Sequence, residues 1–163
     1  LTFRKVDGPE LAARIVDEID YMLKLDKKQT LTAIVIELDG PGVSCFDALK
    51  RSKFKDVVFG IHTGARQKAD DKNYNLRAKL WRTAKDYLKE GGVTLPNCLE
   101  LKAQLCSLKY KYQDGLLLMQ SKKEYKGSFG KSPDRADAFI LSHYQVKTSF
   151  TDSGPLTRNV SVV

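Results

Sequence analysis

The chain has 163 residues, which is enough for one domain of ordinary size. Its 42% hydrophobic and 29% charged residues are typical of a globular protein and argue against a disordered one. No apolar run approaches the roughly 18 residues that a membrane span needs, and Leu1 to Glu10 lack a signal-peptide pattern. The net charge of +8 favours a polyanionic partner, nucleic acid first, although scattered solvated lysines would give the same value.

The first half of the chain is predicted to alternate helices with buried strands. After an extended piece at residues 3–6, a helix begins at Pro9. Its core-facing residues are predicted from helical spacing: Leu11, Ile15, Ile19 and Met22. β-branched residues predict a central buried strand over residues 32–38 and a second one over 57–61. The helix between them, which follows a Gly turn, is predicted to bury Val43, Phe46, Ala48 and Leu49.

The second half is predicted to contain three helices and a hairpin. After an exposed loop at residues 63–71, a helix spans 75–90, and Asn97 with Glu100 predicts the capped start of the next one. Asp114-Gly115 predicts a hairpin joining residues 110–112 to 116–119. The last helix is predicted to begin with Ser132 as its cap and to include His143. This alternation indicates an α/β domain with a mixed or parallel sheet.

The cysteines and histidines do not suggest a disulfide framework or a structural zinc site. The three cysteines have no CxxC spacing, and the chain has only two histidines. A reducing compartment is the simpler setting, with Cys98 and Cys106 as small core residues. His62 and His143 are isolated in the sequence and are interpreted as structural residues.

Two pairs of acidic residues are candidates for metal binding. Glu37 and Asp39 end the central strand on one sheet face, at the edge where open α/β sheets bind ligands. Capping of the next helix is the alternative for one of them. Asp134 and Asp137 share a face of the last helix, where acids also complement the helix dipole. Asp137 lies among apolar residues, which surface solvation explains poorly, and such oxygen ligands suit Mg²⁺ or Mn²⁺.

A basic stretch surrounds the predicted hairpin and the loop before Asp134. Its candidate phosphate-binding residues are Lys109, Lys111, Lys122, Lys123, Lys126 and Lys131. Three tyrosines, Tyr110, Tyr112 and Tyr125, are interleaved with them and could contact sugar or base. Alternatively the tyrosines enter the core and the lysines face water. No phosphate-binding loop of the Walker type is present, so the chain shows no ATP site.

Four segments, taken in order, resemble the nuclease domain of the large subunit of tailed-phage (viral) terminases. They are residues 36–43 (IELDGPGV), 75–91 (an N-x-R-A-x-x-W helix followed by L-K-E-G), 115–123 (a hairpin ending in S-K) and 132–138 (SPDRADA). The resemblance covers about residues 3–145. It implies an RNase H-like fold, a five-stranded mixed sheet flanked by helices, whose first strands and first aspartate we expect upstream of Leu1. The domain would span residues 1–147, with a flexible tail at 148–163.

The same resemblance implies an active site with two divalent ions, Mg²⁺ or Mn²⁺. Asp137 matches the family's last acidic ligand, Asp134 lies beside it, and the strand ligand is Asp39 or, two residues earlier, Glu37. We therefore expect Asp39 and Asp137 to converge. Replacing Asp137 with Asn is expected to abolish cutting and to leave folding nearly unaffected, because acid–acid repulsion would be relieved.

The implied function is endonucleolytic cleavage of concatemeric double-stranded DNA with little sequence specificity. The implied partners are an upstream ATPase domain, the terminase small subunit and the portal protein, and the implied location is the host cytoplasm. Two alternatives remain open: a non-catalytic DNA- or protein-docking domain of the same fold, and a resolvase- or transposase-type nuclease. An incomplete acid set would favour the first, and an upstream ATPase motif would exclude the second.

Overall fold

The computed structural model describes residues 6–28, 30–64, 70–91 and 94–146. Their helices are α1 (Gly8–Leu25), α2 (Gly42–Leu49), α3 (Leu76–Glu90), α4 (Leu99–Ser107), α5 (Lys122–Phe129) and α6 (Asp134–Leu141). Their strands are β1 (Ile34–Glu37), β2 (Val58–Ile61), β3 (Tyr110–Gln113) and β4 (Leu116–Met119). The chain divides into two compact units: the first runs to His62 and includes residues 144–146, and the second runs from Thr63 to His143.

Helix α1 of the first unit begins at Gly8, one residue before the predicted start, and has the predicted inner face. The Asp7 carboxylate accepts a hydrogen bond of 2.8 Å from the Glu10 backbone N–H, which satisfies one of the donors that a helix leaves open at its N-terminus. Ile15 and Ile19 are almost completely buried, together with Ala12. Two predicted core residues are only half-buried: Leu11 and Met22.

Strands β1 and β2 pair in parallel, in a register that runs from Ile34 opposite Val58 to Glu37 opposite Ile61. Each strand has four residues, fewer than predicted. The first three residues of β1 are buried, and so are Val58 and Ile61 at the two ends of β2, as the β-branched sequence predicts. Among the described residues β1 has one strand neighbour, so its predicted central position is not seen there.

Helix α2 buries Leu49 as predicted, and Phe46 and Ala48 are half-buried against the same core. The prediction for Val43 is wrong, because it is 46% exposed, and Cys45 is buried although it was not predicted. Burial raises the pKa of the Cys45 thiol to about 11, which keeps it protonated at neutral pH. A side chain on Gly42 would collide with the Glu37 carbonyl oxygen. The glycine therefore lets the start of α2 approach the end of β1.

In the second unit, helix α3 begins and ends as predicted. The Asn75 side chain accepts a hydrogen bond of 2.9 Å from the Ala78 N–H, and Gly91 follows the last turn with a φ of 78°. Leu80, Trp81 and Ala84 are buried, while Leu88 is 36% exposed. Arg77 is also buried, although nothing in the helical spacing predicts a buried cation there.

The prediction of Asn97 as the cap of helix α4 is wrong. Cys98 occupies that position and makes no side-chain cap hydrogen bond. The Glu100 carboxylate accepts hydrogen bonds from Lys131 (2.7 Å) and Arg135 (3.0 Å), so it does not reach back to the helix start. The prediction that Cys98 and Cys106 are core residues is also wrong. Cys106 is exposed, and Cys98 is only half-buried.

The predicted hairpin is present. β3 and β4 pair antiparallel, and Asp114 and Gly115 between them have positive φ angles of 52° and 75°, as the tight hairpin turn requires. The described strands thus form two two-stranded sheets, β1–β2 and β3–β4. The five-stranded mixed sheet that the resemblance implies is not seen in the described residues, and its upstream strands stay a prediction.

Helix α5 differs from the sequence prediction, which gives a basic stretch and a loop before Asp134 in this part of the chain. Ser121 and Glu124 cap its first turn reciprocally: the Glu124 N–H donates to the Ser121 hydroxyl, and the Ser121 N–H donates to the Glu124 carboxylate. The sequence signal for this helix is the S-x-x-E pattern at residues 121–124, which is typical of a capping box. Gly130, with a φ of 74°, ends it.

We expect Ser121→Ala to lower the free energy of unfolding by about 1 kcal/mol at pH 7, because it removes an N-cap hydrogen bond. The N–H and hydroxyl of Ser121 lower the pKa of Glu124 below its usual range. Their stabilising effect is therefore complete above about pH 4.3 and disappears as the pH falls through the lowered pKa.

Urea unfolding at pH 7 and at pH 3 measures the effect of this substitution. The difference between the variant and the native protein should shrink at the lower pH. Ser128→Ala is the matched control, because Ser128 is an exposed residue of the same helix that does not cap it. An equal loss of stability in the two variants would contradict the role of the cap.

Helix α6 starts one residue later than predicted and ends earlier. Pro133 is its N-cap and no side chain caps it, so the prediction for Ser132 is wrong. The reason is that the buried Ala136 N–H donates instead to the Gln104 side chain of α4, at 3.0 Å. His143 lies beyond Leu141, and its ring packs against those of Tyr87 and Phe139.

Three predictions fall wholly or partly outside the described residues: the extended piece at 3–6, most of the loop at 63–71, and the flexible tail at 148–163. Of that loop, Thr63 is buried and Gly64 exposed. Within the described ranges, no helix combines the length and the apolar character that crossing a membrane requires.

Candidate active site

Asp137 is a buried carboxylate in the first turn of α6. It is 4% exposed, and its neighbours Ala136 and Ile140 are completely or almost completely buried. The sequence anticipated this environment, because an acid among small and apolar residues is poorly explained by surface solvation. A buried carboxylate is costly unless cations or hydrogen-bond donors surround it, so its partners define the chemistry of the site.

Arg77 of α3 is the main partner of Asp137. Its Nη2 donates to Asp137 Oδ1 at 3.0 Å, and its Nη1 donates to the backbone carbonyl of Gln120 at 2.6 Å. Arg77 is itself only 7% exposed, so the ion pair lies almost wholly out of water. Arg77 thus connects the end of the hairpin to the start of α6. It belongs to the N-x-R-A motif of the sequence, but the spacing of that motif does not indicate a role for it.

Lys122, at the start of α5, provides a second cation. Its Nζ lies 3.5 Å from Asp137 Oδ2, which is an ion-pair distance. Oδ2 nevertheless has no hydrogen-bond partner among the described residues, although it is buried. One oxygen of Asp137 is therefore held by Arg77, and the other keeps lone pairs that an incoming cation could use.

Asp134 lies one turn before Asp137 on the same helix but in a different environment. It is exposed, whereas Asp137 is buried. Both acids belong to the first turn of α6, as predicted. Asp134 can therefore meet a ligand from solvent without the desolvation cost that Asp137 carries.

The acids of the first unit lie at the end of β1, as predicted. Glu37 is the last residue of the strand and is half-buried, and Asp39 follows in the turn. Asp39 Oδ1 lies 2.7 Å from His62 Nδ1. An ionised carboxylate can only accept, so this geometry puts the proton on Nδ1. His62, which is isolated in the sequence, thus contacts a candidate metal ligand in the structure, and its interpretation as a structural residue stays a prediction.

The structure does not test the predicted convergence of Asp39 and Asp137, because the two belong to different units. The described residues contain no group of three or more His, Cys, Asp or Glu side chains that could hold a metal ion. Asp137, Asp134, Asp39 and Glu37 therefore stay candidates. The buried Oδ2 of Asp137, without a hydrogen bond, is the feature that fits a cation best.

The predicted basic stretch divides by environment. Lys131 is paired with Glu100 at 2.7 Å, and this hydrogen bond, with that of Arg135, lowers the pKa of Glu100. Lys122 is paired with Asp137. The remaining four lysines of the stretch are exposed: Lys109, Lys111, Lys123 and Lys126.

The three tyrosines of this region also divide. Tyr125 is 3% exposed and shares a hydrogen bond of 2.8 Å with the Ser107 hydroxyl, so it is a core residue. Tyr110 and Tyr112 are 61% and 69% exposed on β3. Tyr125 is therefore buried in the core, whereas Tyr110 and Tyr112 are exposed enough to contact a ligand.

Comparison with known proteins finds relatives by structure. No protein-family model matches the chain, and no curated protein matches it. One similar structure is the nuclease domain of the large terminase subunit of bacterial virus Sf6, as a lysine-to-alanine variant with manganese. It superposes with a TM-score of 0.59 at 17% identity, over 84% of this chain and 73% of that chain.

Two further structures of the same viral domain give a similar result. The variant with calcium has a TM-score of 0.59 at 17% identity, over 84% of this chain and 72% of that chain. Another structure of the nuclease domain has a TM-score of 0.56 at 19% identity, over 82% and 70% of the two chains. At such identities the likeness concerns the fold. It confirms the mixed α/β fold that the resemblance implies: this chain shares the fold of these viral nuclease domains.

Proposed function

We propose that this chain is a divalent-metal-dependent endonuclease domain of a viral DNA-packaging terminase, which cleaves double-stranded DNA with little sequence specificity. The observation that carries the proposal is Asp137. A buried acid at the start of α6, with one oxygen held by Arg77 and the other without a hydrogen bond, lies within the fold of a terminase nuclease domain. The structures similar in fold include forms with manganese and calcium.

The residues of α6 fit a hard divalent cation. Asp137 would present Oδ2 and Asp134 a solvent-accessible carboxylate, with Asp39 or Glu37 as the proposed strand ligand. When bound, Mg²⁺ or Mn²⁺ supplies Lewis-acid activation and charge stabilisation at a phosphodiester. Arg77 holds the Asp137 carboxylate in one orientation. His62 holds Asp39 through its Nδ1 proton.

Lys122 has a separate role in this proposal. Its ammonium group partly neutralises Asp137 and has a side chain that is 39% exposed, so it can also face a phosphate of the bound DNA. The lysine thus serves both the acid and the substrate.

Plasmid nicking tests the proposed activity most directly. The full-length protein is incubated with supercoiled plasmid in Mg²⁺ or Mn²⁺, with EDTA as the control. We expect nicked and linear DNA only with the metal, from sites of unrelated sequence, because phosphate contacts carry no sequence information. Cleavage in excess EDTA, or no cleavage with any divalent cation, would contradict the proposal.

Exposed lysines of α5 are proposed to hold the DNA backbone. Replacing Lys123 and Lys126 together with Ala should lower the slope of log affinity against log salt by about 0.9 for each phosphate that the protein no longer neutralises, because fewer counterions are released. Lys122 is left in place, since its removal would also uncover Asp137. Fluorescence anisotropy on one duplex across a salt series gives the slope.

The matched control for this pair replaces Lys24 and Lys102, which are exposed residues of α1 and α4, with Ala. It removes the same charge from other surfaces and should leave the slope nearly unchanged. Equal slopes for the native protein and the Lys123 and Lys126 variant would mean that DNA is held elsewhere.

A non-catalytic docking domain of the same fold is the second candidate function. The observation in its favour is that no group of three potential metal ligands is found among the described residues. In this case Arg77 and Lys122 would serve only to neutralise Asp137. Duplex binding without metal-dependent nicking, by the full-length protein, would decide for this candidate.

A further inference from the structure

The second unit contains a half-open groove that the proposed nuclease chemistry does not use. Its volume is about 780 Å³, and it runs between α3, the end of α4 and one face of the β3–β4 hairpin. None of the candidate metal ligands or DNA-binding lysines lines it. A groove of this size on the surface of a small unit needs an explanation of its own.

The floor and walls of the groove are mainly apolar. Trp81 and Leu88 of α3, Leu105 of α4, and Leu117 and Met119 of β4 line it. Tyr110 and Tyr112 form part of the hairpin wall, on the same face as the two β4 residues, because they lie opposite them in the hairpin register. Contact with apolar side chains of a ligand would remove this surface from water.

The rim of the groove is predominantly basic. Lys72, Arg82, Lys85 and Lys89 line it, against Asp71 and Asp86. Among the described residues none of these four cations forms an ion pair. Arg82, Lys85 and Lys89 follow one another along α3 at spacings of three and four, so they make a continuous stripe beside the apolar floor. The charge favours an anionic occupant.

The geometry favours a helical peptide over single-stranded nucleic acid. Bases stack on exposed aromatic planes, but Trp81 is only 8% exposed and the rings of Tyr110 and Tyr112 stand at 88° to each other, so successive bases cannot stack on both. The groove follows α3 from Trp81 to Lys89, about 12 Å along the helix axis. Apolar residues at i, i+4 and i+7 of a second helix span a similar distance.

We propose that this groove binds an acidic amphipathic helix of a partner protein, with aliphatic residues on the floor and Asp or Glu residues against the basic stripe of α3. This binding is independent of the nuclease reaction and of any metal. The second unit would then bind a partner protein in addition to taking part in the proposed cleavage of DNA.

A fluorescein-labelled peptide of about 14 residues, or nearly four helical turns, is the probe. It carries Leu at i, i+4, i+7 and i+11 and Glu at the flanking positions, and it is compared with a scrambled peptide of the same composition. We expect the full-length protein to bind the patterned peptide at least tenfold more tightly. Equal affinity for the two peptides would overturn the proposal.

The variants separate the basic stripe from general electrostatics. Replacing Lys85 and Lys89 with Glu should weaken peptide binding at least tenfold, while the control that replaces Lys24 and Lys102 with Glu should change it less than twofold. Tyr112→Ala should weaken binding, and Leu99→Ala, at a residue that is 81% exposed and outside the groove, should not. Circular dichroism confirms that each variant is folded.

Two additional experiments test whether the groove has a different occupant. If a poly-dT oligonucleotide displaces the peptide and itself depends on Lys85 and Lys89, the groove belongs to nucleic acid and the proposal fails. If the peptide binds only after Phe150 and Leu156 are replaced with Asp, the occupant is the chain's own C-terminal segment and the proposal fails equally. Nicking activity should be the same in the native protein and in the folded variant with Lys85 and Lys89 replaced.

Discussion

Replacing Arg77 with Leu should lower the free energy of unfolding by about 3–5 kcal/mol, because removing one partner of a buried ion pair leaves the other charge uncompensated. The guanidinium holds both the Asp137 carboxylate and the Gln120 carbonyl, and both would lose a donor. Such a loss is a large part of the 5–15 kcal/mol that typically stabilises a domain. Urea unfolding followed by circular dichroism at pH 7 measures it.

Two further variants identify the cause of that loss. Arg82→Leu changes an exposed arginine of the same helix and should cost less than about 0.5 kcal/mol. Replacing Arg77 and Asp137 together with Leu should be less destabilising than the sum of the single changes, because no unpaired charge is left. Additive effects in this cycle would mean that the two side chains contribute independently, against the observed geometry.

Local patterns predicted most of the elements correctly, because their causes are local. The period of Ile15 and Ile19, the Asn75 cap and the Asp114-Gly115 turn each act over a few residues, and each is found where it was expected. The errors arose where a tertiary contact overrode a local signal. Glu100 bonds to Lys131 and Arg135 instead of capping α4, and the Gln104 side chain caps α6 in place of Ser132.

The candidate site was predictable in part. The burial of Asp137 could be inferred from its apolar neighbours in the sequence, and its place at the start of a helix from Pro133. Its partner Arg77 could not, because 60 residues separate them and a helical arginine is ordinarily exposed. The contact of His62 with Asp39 could not be predicted either, because it depends on the parallel pairing of β1 with β2, which sequence spacing does not show.

Asp137→Asn should reduce metal-dependent nicking by more than about 100-fold, since losing a proposed ligand should cost more than the 10- to 100-fold typical of residues that only support one. The amide keeps an oxygen acceptor for Arg77 but loses the charge that would hold a divalent cation. Plasmid nicking across a Mn²⁺ titration, with EDTA blanks, measures the effect. Undiminished nicking by the variant would remove Asp137 from the mechanism.

The same substitution should also destabilise the fold, contrary to the expectation from sequence that folding is nearly unaffected. That expectation considered repulsion between acids, whereas the structure surrounds Asp137 with Arg77 and Lys122. Removing its charge leaves a buried guanidinium less well compensated, at a cost of about 2–3 kcal/mol, below the full loss of a partner because the hydrogen bond can persist.

A fall in activity must therefore be separated from a fall in the folded fraction. Nicking is assayed at a temperature where circular dichroism shows the Asp137→Asn protein to be folded, and Mn²⁺ binding is measured by titration calorimetry on the same sample. A metal ligand predicts weaker Mn²⁺ binding by the folded variant. A purely structural Asp137 predicts unchanged Mn²⁺ binding and an activity loss no larger than the unfolded fraction, because the remaining folded molecules would keep their full site.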